Sequence, residues 1–218
     1  MKGVIAKDLY EYFGIRKNLI YTCLYLIFII GAIFTKNVFP IYIIIIYIGP
    51  MILSPNILQM TTRADDVSGF SYLQLTYPIK RNEIVNGKYI IGIFSYLFNM
   101  LLSTLMLFLN NKVTGAIKIE YIPYILVLIL IISMISFGVN YPVYMLIGSK
   151  SISTYIWIGA MMVGSWIMSA LFFNLHTVNN ITVSDIHKIL SIALIVSLII
   201  SLVGYFITLY FYNKKDFA

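Results

Sequence analysis

The stretch Tyr121 to Ile147, YIPYILVLILIISMISFGVNYPVYMLI, contains no Asp, Glu, Lys, Arg or His. About 20 apolar residues cross the roughly 30 Å hydrocarbon core of a bilayer as a helix. This run is longer than that, so it must tilt or extend beyond the core. It is too long and continuous for a barrel strand, and in lipid only helices or closed barrels satisfy every backbone hydrogen bond.

Five further apolar runs flank it: 19–35, 38–58, 89–109, 152–173 and 189–212. Pro40, Pro50 and Pro55 make the ends of the second uncertain or mark a kink. The whole chain is 61% hydrophobic and 11% charged over 218 residues, with a mean hydropathy of +0.92. Soluble domains carry about 25% charged residues, too many for this chain to resemble. The composition excludes a soluble enzyme, a nucleic-acid-binding domain and a disordered tail. The expected fold is all-α: one polytopic membrane domain, 1–218, of six transmembrane helices.

Residues 1–17, MKGVIAKDLYEYFGIRK, are too charged to cross and lack the apolar core and cleavage site of a signal peptide. Ile5, Ala6, Leu9, Tyr12 and Phe13 share one helical face, with Lys7, Asp8 and Glu11 opposite. This predicts an amphipathic interfacial helix lying on the bilayer surface. The alternative is a disordered basic leader.

Orientation follows from the distribution of the +7 net charge. With the N-terminus inside, the inner segments hold Lys2, Lys7, Arg16, Lys17, Arg63, Lys80, Arg81, Lys88, Lys150, Lys214 and Lys215. The outer ones hold Lys36, Lys112, Lys118 and Lys188. Basic residues favour the cytoplasmic side, so both termini are expected in the cytoplasm of a bacterial cell. The lone Cys23 lies in an apolar run and cannot form an internal disulfide.

No acidic, basic or His residue falls in the middle of a crossing, whereas ion-driven carriers place such groups there. His176, Asp185 and His187 lie in the expected outer loop 174–188; a metal site there is conceivable, and polar loop residues are the simpler reading. Thr62-x-x-Asp65 reads as a capping box starting a short helix, with Asp66 in its first turn. No GxxxxGK[ST] phosphate loop occurs: Asn86-Gly87-Lys88-Tyr89 lacks the upstream glycine and the hydroxyl. If ATP drives this protein, another chain binds it.

Uncharged polar residues do occur within the crossings: Asn99 and Ser103, Ser133, Ser136 and Asn140, Ser165 and Ser169, Ser197 and Ser201. The pairs four apart share a helix face. Asn99, Ser103, Ser136, Asn140, Ser165 and Ser169 are candidates for lining a path for an amphipathic solute. The competing reading is helix–helix contact, which small and hydroxyl residues favour in lipid. Ala160 and Gly164 fit such a contact too.

The longest polar stretch is 61–88, TTRADDVSGFSYLQLTYPIKRNEIVNGK. Val67, Phe70, Leu73 and Tyr77 recur at helical spacing until Pro78 stops that helix. Proline suits a first helical position, so Ile79 to Lys88 can form a second helix running into the third crossing. Two stiff helices on the cytoplasmic side make a docking element. A solvated basic loop near anionic lipid is the other reading.

Asp65-Asp66, Ser68-Gly69-Phe70, Tyr77-Pro78-Ile79-Lys80-Arg81-x-Glu83-Ile84-Val85 and Lys88-Tyr89 together resemble ABC-2-type permeases, the membrane subunits of ATP-binding-cassette exporters. The small-permease branch carries a similar string between crossings two and three. Here Tyr77 stands for its usual leucine and Lys80 for its Ser or Thr. The resemblance implies a type V exporter-like fold. It implies that loop 61–88 carries a coupling helix, with Tyr77, Pro78, Ile79, Lys80, Arg81, Asn82 and Glu83 contacting the nucleotide-binding subunit. It implies that 174–188 caps the exit. Partners would be two ABC ATPase subunits holding ATP and Mg, and a second permease chain, identical or homologous. The chain itself would need no cofactor and would catalyse nothing. It looks similar to permeases that export amphipathic peptides, such as the phenol-soluble-modulin exporter. A vitamin-importer membrane component would resemble its kin by an Ala-x-x-x-Ala face on the first crossing, where only Ala32 stands. A non-transporting immunity or sensor protein is the third alternative.

Overall fold

The computed structural model describes residues 2–37, 41, 49–70, 80–148, 159 and 183–214. They form helices and no strand: α1 (Lys2–Gly14), α2 (Arg16–Ile33), α3 (Gly49–Ser68), α4 (Arg81–Thr114), a 3-10 turn (Ile119–Tyr121), α5 (Ile122–Ile147) and α6 (Val183–Lys214). Among the described residues three stretches are each long and apolar enough to cross a membrane: Arg81–Thr114, Ile119–Ile147 and His187–Lys214. Lys2–Gly14 and Asn18–Ile33 reach that standard only as a pair, and they meet at 79°. The fifth run, 152–173, and most of the outer loop 174–188 lie outside the described residues.

α4 rises about 51 Å over its 34 residues. That exceeds the roughly 30 Å apolar core, so Arg81 to Lys88 is a rigid extension of the span instead of a separate short helix. Glu83 in the first turn suits the positive end of the helix dipole. At the other end Gly115 takes φ 65, a conformation that disfavours side chains, and its N–H bonds back to Asn110 and Asn111.

α3 also departs from the expected break. It runs unbroken to Ser68, and Gly69 at φ 67 turns the chain out of it. No helix starts at Thr62. The Asp65 carboxylate is drawn to lysines on two other helices, and with that its capping role is lost.

The helices share two cores. Near Gly115, Tyr25, Ile29 and Ala32 of α2 meet Met106 and Leu107 of α4 and Ile122, Ile125, Ile129 and Ile132 of α5. There the Asn110 amide donates to the carbonyls of Ala32, Ile33 and Thr35 at 3.1, 3.0 and 3.1 Å. It satisfies the orphan acceptors at the end of α2. Near α1, Val4, Leu58, Ile84, Val85, Tyr89, Tyr141, Tyr144, Met145 and Tyr212 converge from five helices.

The α5–α6 contact is the most extensive. A Cβ on Gly138 would stand 2.6 Å from the Ile200 carbonyl, and one on Gly204 would collide with the Gly138 carbonyl. Pro142 explains part of this closeness. It has no N–H to offer residue 138, leaving that carbonyl free to face the neighbouring backbone. Outward, Phe94, Phe98 and Leu101 of α4 and Ile192, Ile195 and Phe206 of α6 are exposed. Apolar faces this broad suit lipid and not water.

Candidate functional site

The α1 end of α4 concentrates the buried charge. Lys88 lies two turns into α4, with its side chain only 5% exposed. Its Nζ is 3.0 Å from Asp65 Oδ2 on α3 and 3.3 Å from Asp8 Oδ2 on α1. Lys7 contacts Asp65 as well, and reaches Asp8 at 3.4 Å and Glu11 at 3.0 Å. Two ammonium groups thus sit among three carboxylates, tying three helices together.

α1 is helical as expected, and part of its charged side turns to protein. Val4, Asp8 and Tyr12, four apart, form its buried face. Leu9, Tyr10 and Phe13 point outward. Asp8 of the charged side and Tyr12 of the apolar side both face protein, while Leu9 and Phe13 are left outward, as suits a helix in a membrane interface. Burial raises the Glu11 carboxyl above the ordinary carboxylate range, partly offset by Lys7. Asp8, Glu11 and Asp65 hold oxygens close enough for one cation. Lys7 and Lys88 already supply the positive charge at that point.

A second set of contacts joins the start of α4 to the end of α6. Arg81 Nη1 donates to the Asn213 carbonyl at 2.7 Å and the Tyr212 carbonyl at 3.5 Å. Asn213 Nδ2 donates to Asn82 Oδ1 at 2.6 Å. Tyr205 donates to Asn86 Oδ1 at 2.8 Å, and the Tyr89 hydroxyl lies 2.8 Å from that of Thr208. Rings of Phe137, Tyr141 and Tyr205 surround Tyr89 at 4.8, 5.0 and 5.0 Å between centroids.

Residues of α4, α5 and α6 also line an apolar groove of about 630 Å³. Asn86, Tyr89, Leu97, Met100, Leu130 and Tyr205 are among the residues that line it. Ser133 and Ser201 also face it. Their hydroxyls are spent on Ile129 and Leu198 carbonyls of their own helices.

Of the other polar residues singled out in the sequence, Asn99, Ser103, Ser136, Asn140 and Ser197 are buried. Tyr25 donates to Asn99 Oδ1 at 2.6 Å across the α2–α4 seam, where Ser103 is fully buried. Asn140 Nδ2 donates to Ser136 Oγ at 2.8 Å within α5. His187 lies 3.1 Å from the Tyr124 hydroxyl. Tyr77, Pro78, Ile79, Ser165, Ser169 and His176 lie outside the described residues. Of the coupling segment, Lys80 and Asn82 are exposed, while Arg81 and Glu83 are half-buried.

The ion cluster was not legible in the sequence, because Asp8, Asp65 and Lys88 each look like solvated charges outside an apolar run. A sequence signal was a lysine four residues after Ile84 and three after Val85, on the same face of a helix.

Apolar helices of this length, three stretches of them able to cross a membrane among the described residues, define a helical membrane protein. The model for the ABC-2 family of transporter proteins matches residues 3–213, and the chain belongs to that family. It is therefore the permease component of an ABC transporter. Such a component carries no ATPase site and works with a separate ABC ATPase subunit. No curated protein matches the chain. No solved structure matches it either.

Proposed function

We propose that this chain is the permease of an exporter that moves an amphipathic substrate, a peptide of the antimicrobial or toxin kind, out of a bacterial cell. Six helices cross the cytoplasmic membrane and both termini lie inside. Two ATPase subunits, which hold ATP and Mg, dock beneath a pair of permease chains. Tyr77 to Glu83 receives their movement.

The observation that supports this best is the continuity of α4. It is one helix from Arg81 to Thr114, beginning at the coupling segment and reaching the opposite end of the bundle. A displacement at Arg81 cannot be absorbed by a flexible joint. It is passed to the α1–α3 ion cluster, to α6 and to the groove between α4, α5 and α6. ATPase closure biases the permease toward the state it fits better, since a partner shifts a conformational equilibrium only through differential affinity. The apolar groove suits the apolar side of an amphipathic peptide, and its lining among the described residues carries no charge, which disfavours a hydrophilic solute.

The test is flux. Inside-out vesicles holding the chain and its ATPase should accumulate amphipathic peptide with ATP and not with a non-hydrolysable analogue. Equal uptake without nucleotide would end the proposal, as would uptake by the permease alone.

A further inference from the structure

Arg81 belongs to the segment expected to touch the ATPase, yet its guanidinium is committed elsewhere. It sits on the last carbonyls of α6, 2.7 Å from Asn213 and 3.5 Å from Tyr212. The final carbonyls of a helix have no intrahelical donor and carry the negative end of its dipole. A guanidinium, with several donors in a fixed fork, suits them well. Beside it Asn213 bonds Asn82 at 2.6 Å, so the two helix ends form one continuous surface. Lys80, Asn82, Asn213 and Lys214 are all exposed on it.

We infer that the docking surface for the ATPase is composite, made by the start of α4 and the last turn of α6, with Arg81 as the positioning residue that joins them. This rests on the permease reading above. Lys80 and Lys214 supply the exposed positive charge. Lys214 is held in place, with Nζ 2.6 Å from the Tyr210 hydroxyl and 4.2 Å above that ring. Two lysines presented from neighbouring helix ends fit an acidic patch on a protein partner. Anionic lipid headgroups are the competing source of that charge, and the experiment separates the two. A further consequence is that α6 moves with α4, so one wall of the groove shifts whenever the coupling segment does.

The experiment uses the full complex of permease and ATPase in nanodiscs containing anionic lipid. A photo-reactive benzoylphenylalanine replaces Lys80, Lys214 or, as a control from the opposite end of the bundle, Lys118. Adducts with the ATPase are expected at 80 and 214 and not at 118. Arg81→Gln should keep the adduct at 80 and reduce that at 214 by about tenfold, the scale of one charge-assisted hydrogen bond. Arg81→Lys should restore part of it. A role for Arg81 in folding alone would reduce both adducts together. Lipid adducts at 214, no adduct there, or a yield at 214 that Arg81→Gln leaves unchanged would each overturn the inference. If the wild-type chain retains no ATPase at all, the permease reading falls with it.

Discussion

Lys88 and Asp65 stand 3.0 Å apart on two different helices, both buried. Neither is an ordinary choice for such a place, since a buried ion pair recovers its desolvation cost only with good geometry and further partners. Asp8 and Lys7 are those partners. The cluster therefore does more to define how α1, α3 and α4 fit together than to add net stability.

Removing the central cation should be costly. Lys88→Met leaves Asp8 and Asp65 buried with reduced compensation, and the expected loss is about 3–5 kcal/mol. Adding Asp8→Asn and Asp65→Asn to the same chain should recover most of it. Thermal unfolding in detergent reads both. A single variant as stable as wild type would show that water reaches the cluster.

Glu11 should behave differently from Asp65. Its pKa is raised by burial, so in the window above the unfolded value the folded chain binds more protons than the unfolded one. Its contribution to stability is thus present at low pH and lost as pH rises through the folded value. Glu11→Gln should flatten that dependence and cost little at neutral pH, whereas Asp65→Asn should cost more. Unfolding midpoints across mildly acidic to neutral pH decide between them.

The α5–α6 seam has no room for a side chain at Gly204. Gly204→Ala should cost about 1–3 kcal/mol, the usual range for overpacking. Gly115→Ala meets open space but an unfavourable φ, and should cost about 1 kcal/mol. Measuring both by unfolding in detergent tests whether the seam is as close as described.

Asn110→Leu removes the donor shared by three carbonyls at the end of α2. Leaving buried acceptors unpaired costs about 1–3 kcal/mol. Hydrogen exchange should rise at the last turn of α2 more than in α5. Uniform exchange would argue against a local capping role.

Filling the groove should impair transport and spare assembly. Ser201→Trp places a large ring where Leu97 and Met134 face it. Peptide flux should fall at least about tenfold, a difference worth roughly 1.4 kcal/mol, with the ATPase still co-purifying. Undiminished flux would remove the groove from the path.

Membrane residence and helical class were legible without any structure. Hydrocarbon imposes a length and a polarity on whatever crosses it, and runs such as 121–147 display both. The starts and stops of α3 and α4 were less so. Asp65 reads as a helix cap and Lys88 as the end of a short cytoplasmic helix, because a charge in sequence looks the same whether water or another charge surrounds it. α1 shows this most clearly. Its amphipathic pattern is evident, but the residues that pack on protein, Val4, Asp8 and Tyr12, do not follow the division between its two faces. A helical wheel identifies two faces and does not say which of them meets a partner.

The sequence by itself determined that this chain is helical, apolar and membrane-bound, because those properties are set residue by residue against a uniform solvent. Only the tertiary structure decided that Asp8, Asp65 and Lys88 meet, that Arg81 closes onto the end of α6, and that Gly138 and Gly204 let two backbones touch. Each of these joins residues far apart along the chain, and electrostatic and steric complementarity exist only once the helices stand side by side.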